Sequence, residues 1–229
     1  MRSYNVLVPL AAFAAQAVAS TDTWNFGYGF YLGPPSSATI TRASCGYTAD
    51  SNDEPWVSLW IGISNTESSA TYDLYQPLLN WAPDNESQGC DAPDDQWCVA
   101  TSSYMNGNQV GQAYVTVPKD TQVDFETYVE DDKVYQVVTI DGKVVSKQSD
   151  ALSEGDVKYM ISGDECYTGG GACGTIEAYS YTNITVELSA KDESFGSTFA
   201  AYDGITSDGG KTWVASAIKI AGDAFTAEE

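Results

Sequence analysis

Histidine is absent from all 229 residues, and that gap removes much of the usual chemistry of enzymes. Ser-His-Asp and Cys-His nucleophile systems, HExxH metallopeptidases and histidine-ligated metals all require an imidazole. Catalysis, if there is any, falls to carboxylates, amides, tyrosine, lysine or hydroxyls, which points to acid-pH hydrolysis or glycoside chemistry. Cations are scarce too: ten Lys plus Arg stand against 32 Asp plus Glu, a net charge of −22. Nucleic acid and anionic membranes are poor partners for such a chain. The charge suits a protein that works in acidic surroundings, and it suits plain solubility equally well. Helical periodicity is hardly seen anywhere, and past the first twenty residues no segment is apolar enough to span a bilayer.

Those first twenty residues carry Arg2, an apolar core over 6–15 and the small residues Ala17, Val18 and Ala19. This is the pattern of a secretory signal peptide over 1–20. The rest is expected to be secreted, soluble and monomeric, with one domain over 21–222 and a flexible C-terminal tail over 223–229. In an oxidising compartment most of the five cysteines should pair. Cys90 with Cys98, and Cys166 with Cys173, would each close a short loop, leaving Cys45 over. The spacings do not resemble a zinc site, and the Asp-rich run at Asp91, Asp94 and Asp95 fits no calcium loop. No metal and no cofactor is expected.

The aromatics concentrate between residues 54 and 81, where 55–64 and 71–81 read as strands around the solvated turn 65–70. Strands over 24–32 and 38–47 precede this hairpin. After a loop over 82–98 come 109–117 and 122–130. The second of these alternates Val123, Phe125, Thr127 and Val129 with Asp124, Glu126, Tyr128 and Glu130. Asp131-Asp132 turns the chain, and Asp141-Gly142 is a strong hairpin signal between 133–140 and 143–148. Residues 157–162 read as a short strand, 163–174 as a Gly-rich loop, and 175–188 as one long strand. On that strand Glu177, Tyr179, Tyr181, Asn183, Thr185 and Glu187 share a face. Strands over 195–205 and 212–220 finish the set. The GGG at 169–171 has no helix after it, so it is no phosphate loop. About a dozen short strands separated by turns specify an all-β fold, an antiparallel β-sandwich. Two sequons, Asn85-Glu86-Ser87 and Asn183-Ile184-Thr185, are candidate glycosylation sites. The first lies in a loop and is the better of the two.

Trp60-Ile61-Gly62-Ile63, followed by Leu74-Tyr75-Gln76, resembles the W-V-G-I-D-G … L-Q signature of the fungal glutamic peptidases, the eqolisins. Weaker similarity runs through 113–149, through 157–161 against the family's A-E-W-I-V-E strand, and through 178–188. The resemblance implies two bent sheets in a concanavalin A-like jelly roll and an acid endopeptidase. In that family a Glu activates water and a Gln amide stabilises the oxyanion on the concave face. Carried over, Gln76 is the oxyanion donor and Trp60 lines the cleft. Ser64 stands where the family has Asp, and Lys158 falls where the catalytic Glu should be. Glu165 and Glu177 are the remaining candidates for that Glu.

Two functions are therefore open. One is a divergent glutamic peptidase using Gln76 with Glu165 or Glu177. The other, which the loss of the aligned Glu favours, is a non-catalytic sandwich binding a polypeptide or glycan on its concave face, with Trp56, Trp60, Tyr179 and Tyr181 as stacking surfaces. No strand shows the closely spaced acidic pair of a retaining glycosidase.

Overall fold

In a computed structural model of the protein, the residues described are 24–49, 56–66, 73–93, 96–105, 107–152, 155–167 and 174–225. The proposed signal peptide and Cys173 lie outside them. In chain order the strands are β1 (Trp24–Leu32), β2 (Ile40–Ala49), β3 (Val57–Ser64), β4 (Leu74–Tyr75), β5 (Leu78–Trp81), β6 (Trp97–Ala100), β7 (Ser102–Met105), β8 (Asn108–Gly111) and β9 (Val115–Val117). They continue with β10 (Thr121–Glu130), β11 (Lys133–Ile140), β12 (Lys143–Ala151), β13 (Tyr159–Tyr167), β14 (Gly174–Ile176), β15 (Tyr179–Leu188), β16 (Thr212–Ile220) and β17 (Asp223–Phe225).

Two antiparallel sheets face each other across one core, which makes the fold an all-β sandwich. The six-stranded sheet runs β12-β11-β10-β2-β15-β16. Its meander is set by two turns with positive φ throughout: Asp131 and Asp132 at 49° and 56°, Asp141 and Gly142 at 48° and 74°. Such angles match the right-handed twist of the strands they join. The nine-stranded sheet is built around β3. One edge of β3 bonds to β13, which carries β1; the other edge is shared by β4 and β5, leading to β7-β8 and β6-β9. Along β3 the period-two alternation sends Val57, Leu59, Ile61 and Ile63 into the inter-sheet core.

The structure corrects several expectations. Residues 195–205 form no strand: Asp192 caps a short helical run over 193–202, its Oδ1 accepting the Ser194 N–H at 3.1 Å. Residues 163–167 are not loop but the second half of β13. The stretch 175–188 is broken after Ile176, and Asn183, at φ 53°, shifts the register of β15 on β2. That bulge moves the later side chains to the other face. Asp223–Phe225 is no loose tail, because β17 pairs with β14 and buries Phe225. The Cys90–Cys98 disulfide is present, Cys45 is a buried free thiol, and Cys166 is disulfide-bonded.

Candidate functional site

The side chains that matter come from the face of β3 turned away from the core: Ser58, Trp60, Gly62 and Ser64. Residues directly opposed across an antiparallel pair share a face, so the register lays out rows across the sheet. Phe26, Glu165, Ser58, Asn80, Cys98 and Thr116 form one row. Gly163, Trp60, Leu78 and Ala100 form the next. Beyond it Tyr31, Ile161 and Gly62 form a third. Leu74 and Leu78 are only 2% and 3% exposed although no sheet of the described residues is stacked on this side. The sheet curls around them, and Tyr104, Tyr114 and Ile161 pack against Trp60 in a small cluster separate from the main core.

A polar line crosses this floor. Ser58 Oγ donates to Asn80 Oδ1, and Asn80 Nδ2 donates to the Tyr114 hydroxyl. Glu165 is half-buried beside it. Burial, with the adjacent Asp164 adding to it, pushes the Glu165 carboxyl up to about 7. Burial, together with the Glu165 charge, likewise raises the Tyr114 hydroxyl. Below neutral pH the line is therefore uncharged, a set of neutral donors and acceptors. Ser58, Asn80 and Tyr114 were not singled out by the sequence. The available signal was Asn80, a lone amide inside the apolar run Leu78–Trp81.

Gln76 lies in the kink between β4 and β5. Its N–H donates to Ser102 O at 2.8 Å, it is 7% exposed, and its Oε1 is buried without a hydrogen-bond partner. Gly62 makes the kink possible: a Cβ there would stand 2.2 Å from Tyr75 O and 2.9 Å from the Gln76 Cα. Gln76 thus crosses β3 at Gly62, whereas Glu165 opposes Ser58, four residues along the same strand. At about 3.3 Å per residue that separation is roughly 13 Å. The β13 residue facing Gly62 is Ile161. Lys158 precedes β13, donating its N–H to Ser64 O at 3.0 Å, and by alternation falls on the Met160 side, away from Trp60.

The other expected site residues are scattered. Trp56 is half-buried against Tyr167, with ring centroids 4.3 Å apart. Tyr181 is 1% exposed and packs between the sheets against Phe30 and Tyr47, so it is core and not a ligand platform. Tyr179 packs on the same cluster and gives its hydroxyl to Asp164 Oδ2 at 3.2 Å. Both were assigned outward by a strand phase that the Asn183 bulge reverses. Glu177 is exposed in the link between β14 and β15, and nothing brings it to Gln76. The exposed aromatics among the described residues are instead Phe26, Tyr28 and Tyr31, all on β1.

No protein-family model and no curated protein sequence matches the chain. Its fold resembles the glutamic peptidases. Scytalido-glutamic peptidase, solved with a transition state analog inhibitor, aligns over 86% of this chain and 100% of its own, at 13% identity and a TM-score of 0.49. SCP-B, an eqolisin family member solved with the tripeptide Ala-Ile-His, aligns over 87% and 100%, at 10% identity and a TM-score of 0.41. The carbohydrate binding module CBM66 from Bacillus subtilis aligns over 65% and 91%, at 12% identity and a TM-score of 0.36. Likeness at these values does not carry over what those proteins cleave or bind.

Proposed function

We propose that this is a secreted binding protein that takes an extended polypeptide or glycan along the curled face of the nine-stranded sheet and does not hydrolyse it. The observation that carries the reading is the separation of Gln76 from Glu165, with Ile161 in the place beside Gln76 where a carboxylate would have to stand. A water held by one of these groups is out of reach of the other. A carboxyl raised to about 7 is also protonated in acid, so it is no base there. What the face offers is a rim where Phe26 and Tyr31 are 68% and 60% exposed, above a floor in which Trp60 is 9% exposed and the neutral line of Glu165, Ser58, Asn80 and Tyr114 runs. Aromatic faces with a few placed hydrogen-bonding groups suit a polymer of repeating units.

The test uses residues 21–229. Calorimetric titration with denatured casein and with neutral oligosaccharides at pH 5 should give binding in one of the two arms. That binding should weaken at least tenfold in Phe26→Ala and in Glu165→Ala. Cleavage of denatured casein between pH 2 and 6 should be absent. The second reading, an acid endopeptidase, is favoured by one observation, the buried and unpartnered Oε1 of Gln76. Cleavage that disappears in Gln76→Ala would establish that reading and overturn the proposal.

A further inference from the structure

We infer that Asn183, and not Asn85, carries an N-linked glycan, on the solvent face of the six-stranded sheet. This rests on the secreted reading above and reverses the order that the sequence suggests. A glycan is attached through the side-chain amide nitrogen, so the nitrogen must give up a hydrogen and have an open path to solvent.

Asn85 can do neither. It is 1% exposed, and its Nδ2 spends both hydrogens inside the protein, on Pro93 O at 3.1 Å and Gln96 O at 3.0 Å. Its Oδ1 accepts the Ala82 N–H at 3.1 Å, and its backbone carbonyl accepts from Gln88 and Cys90, each at 3.0 Å. The hydroxyl of Ser87, third residue of the sequon, is given to Asp84 O at 2.8 Å. Asn85 is the internal peg that ties Ala82, Cys90, Pro93 and Gln96 together, and the Cys90–Cys98 bond fastens the same region. A chain glycosylated here before folding could not seat the peg.

Asn183 is placed the other way. It is exposed, and at φ 53° it occupies the left-handed region that Asn tolerates better than most residues. The ladder to β16 passes from Thr182–Ala217 to Ile184–Ala215, and that to β2 from Thr182–Gly46 to Thr185–Ser44. Asn183 is skipped by both, and its side chain makes no hydrogen bond among the described residues. The surface around it is polar, with Thr48, Gln122 and Asp124 on the neighbouring strands. A glycan there would cover the outer face of the six-stranded sheet and leave the Trp60 face on the opposite sheet open.

The full chain, with its own N-terminal segment, is expressed in a yeast secretory host. Protein from the medium is treated with peptide-N-glycosidase in heavy-oxygen water and mapped by mass spectrometry. The expected result is the isotopic Asp label at Asn183 and none at Asn85, with Thr185→Ala removing the gel shift while the protein is still secreted. A label at Asn85 in folded, secreted protein overturns the inference, as does a bare Asn183. If the chain does not reach the medium, the secreted reading has failed instead. Residues 21–229 behind a host leader then decide between the two asparagines by the same criteria.

Discussion

At the scale of one residue, Asp164 is hemmed in by three strands. It is 1% exposed, and its Oδ2 accepts the Tyr179 hydroxyl. It faces Tyr179 on β15, the Tyr28 backbone on β1 and Asp223 on β17, with Glu165 next to it and Tyr181 behind. Gly27 leaves room for this meeting: a Cβ there would stand 2.0 Å from Asp164 Oδ1 and 2.6 Å from Asp223 Oδ2. Burial pushes the Asp164 carboxyl up to about 7; the hydrogen bonds with Tyr179 and the Tyr28 backbone oppose this, and the Asp223 charge adds to it. The folded state therefore keeps a proton up to about pH 7 that the unfolded chain releases near 4. Stability is full below about pH 4 and falls as pH rises through that window, because the folded state binds more protons. Three pH units correspond to an upper limit of about 4 kcal/mol. Asp164→Asn keeps the acceptor and cannot ionise, so its denaturation midpoint should depend less on pH between 4 and 7, and it should be the more stable protein at pH 7. Parallel pH profiles for the two proteins would refute the assignment.

At the scale of elements, what the sequence made legible are the features that only a few residues can satisfy. Asp131-Asp132 and Asp141-Gly142 supply positive φ at both turn positions, so the meander was readable. The alternation of β10 was readable because one of its faces is core. What stayed hidden depends on partners far along the chain. Asp192 looks like any acidic residue until Ser36 and Ser37 reach its Oδ2, at 2.9 Å each, from more than 150 residues away. Gly163 reads as the start of a loop, yet it lies inside a strand because the Trp60 ring fills the space a Cβ would need, at 2.7 Å. That misreading put Glu165 in a loop instead of beside Ser58. Gly62 belongs to the same class. The atom that a Cβ would meet is the Tyr75 carbonyl, which is backbone and cannot swing aside. Gly62→Ala should lower the urea denaturation free energy by about 1–3 kcal/mol with an unchanged m-value. It should also displace Gln76. A variant as stable as the wild type would mean that the β4–β5 crossing has room for a methyl group.

At the scale of the whole molecule, two sheets are pinned by a buried polar seam as well as by an apolar core. Gln136 of β11 is 0% exposed; its Nε2 donates to Ser103 Oγ at 2.7 Å, and its Oε1 accepts the Ser102 N–H at 3.2 Å. Ser103 in turn donates to Asp150 Oδ2 at 2.7 Å. The surface around this frame is strongly anionic: the net charge is −22, and Arg42 makes the ion pairs found among the described residues, with Glu126 and Glu187. At neutral pH the exposed carboxylates repel one another and oppose the compact state. Two forces thus favour the fold in acid, and salt separates them. The surface repulsion is screened as the Debye length shrinks from about 30 Å at 0.01 M salt to about 3 Å at 1 M. The protons on buried Asp164 and half-buried Glu165 respond to salt much less. At pH 7.5 the melting temperature should rise by several degrees on going from 0.01 to 1 M NaCl, and at pH 4 it should barely move. In 1 M NaCl a pH dependence should survive in the wild type and be reduced in Asp164→Asn. If the wild type in 1 M salt melts at one temperature from pH 4 to 7, surface repulsion alone sets its acid preference. The raised carboxyls at the Trp60 face and beneath β17 would then have no part in it.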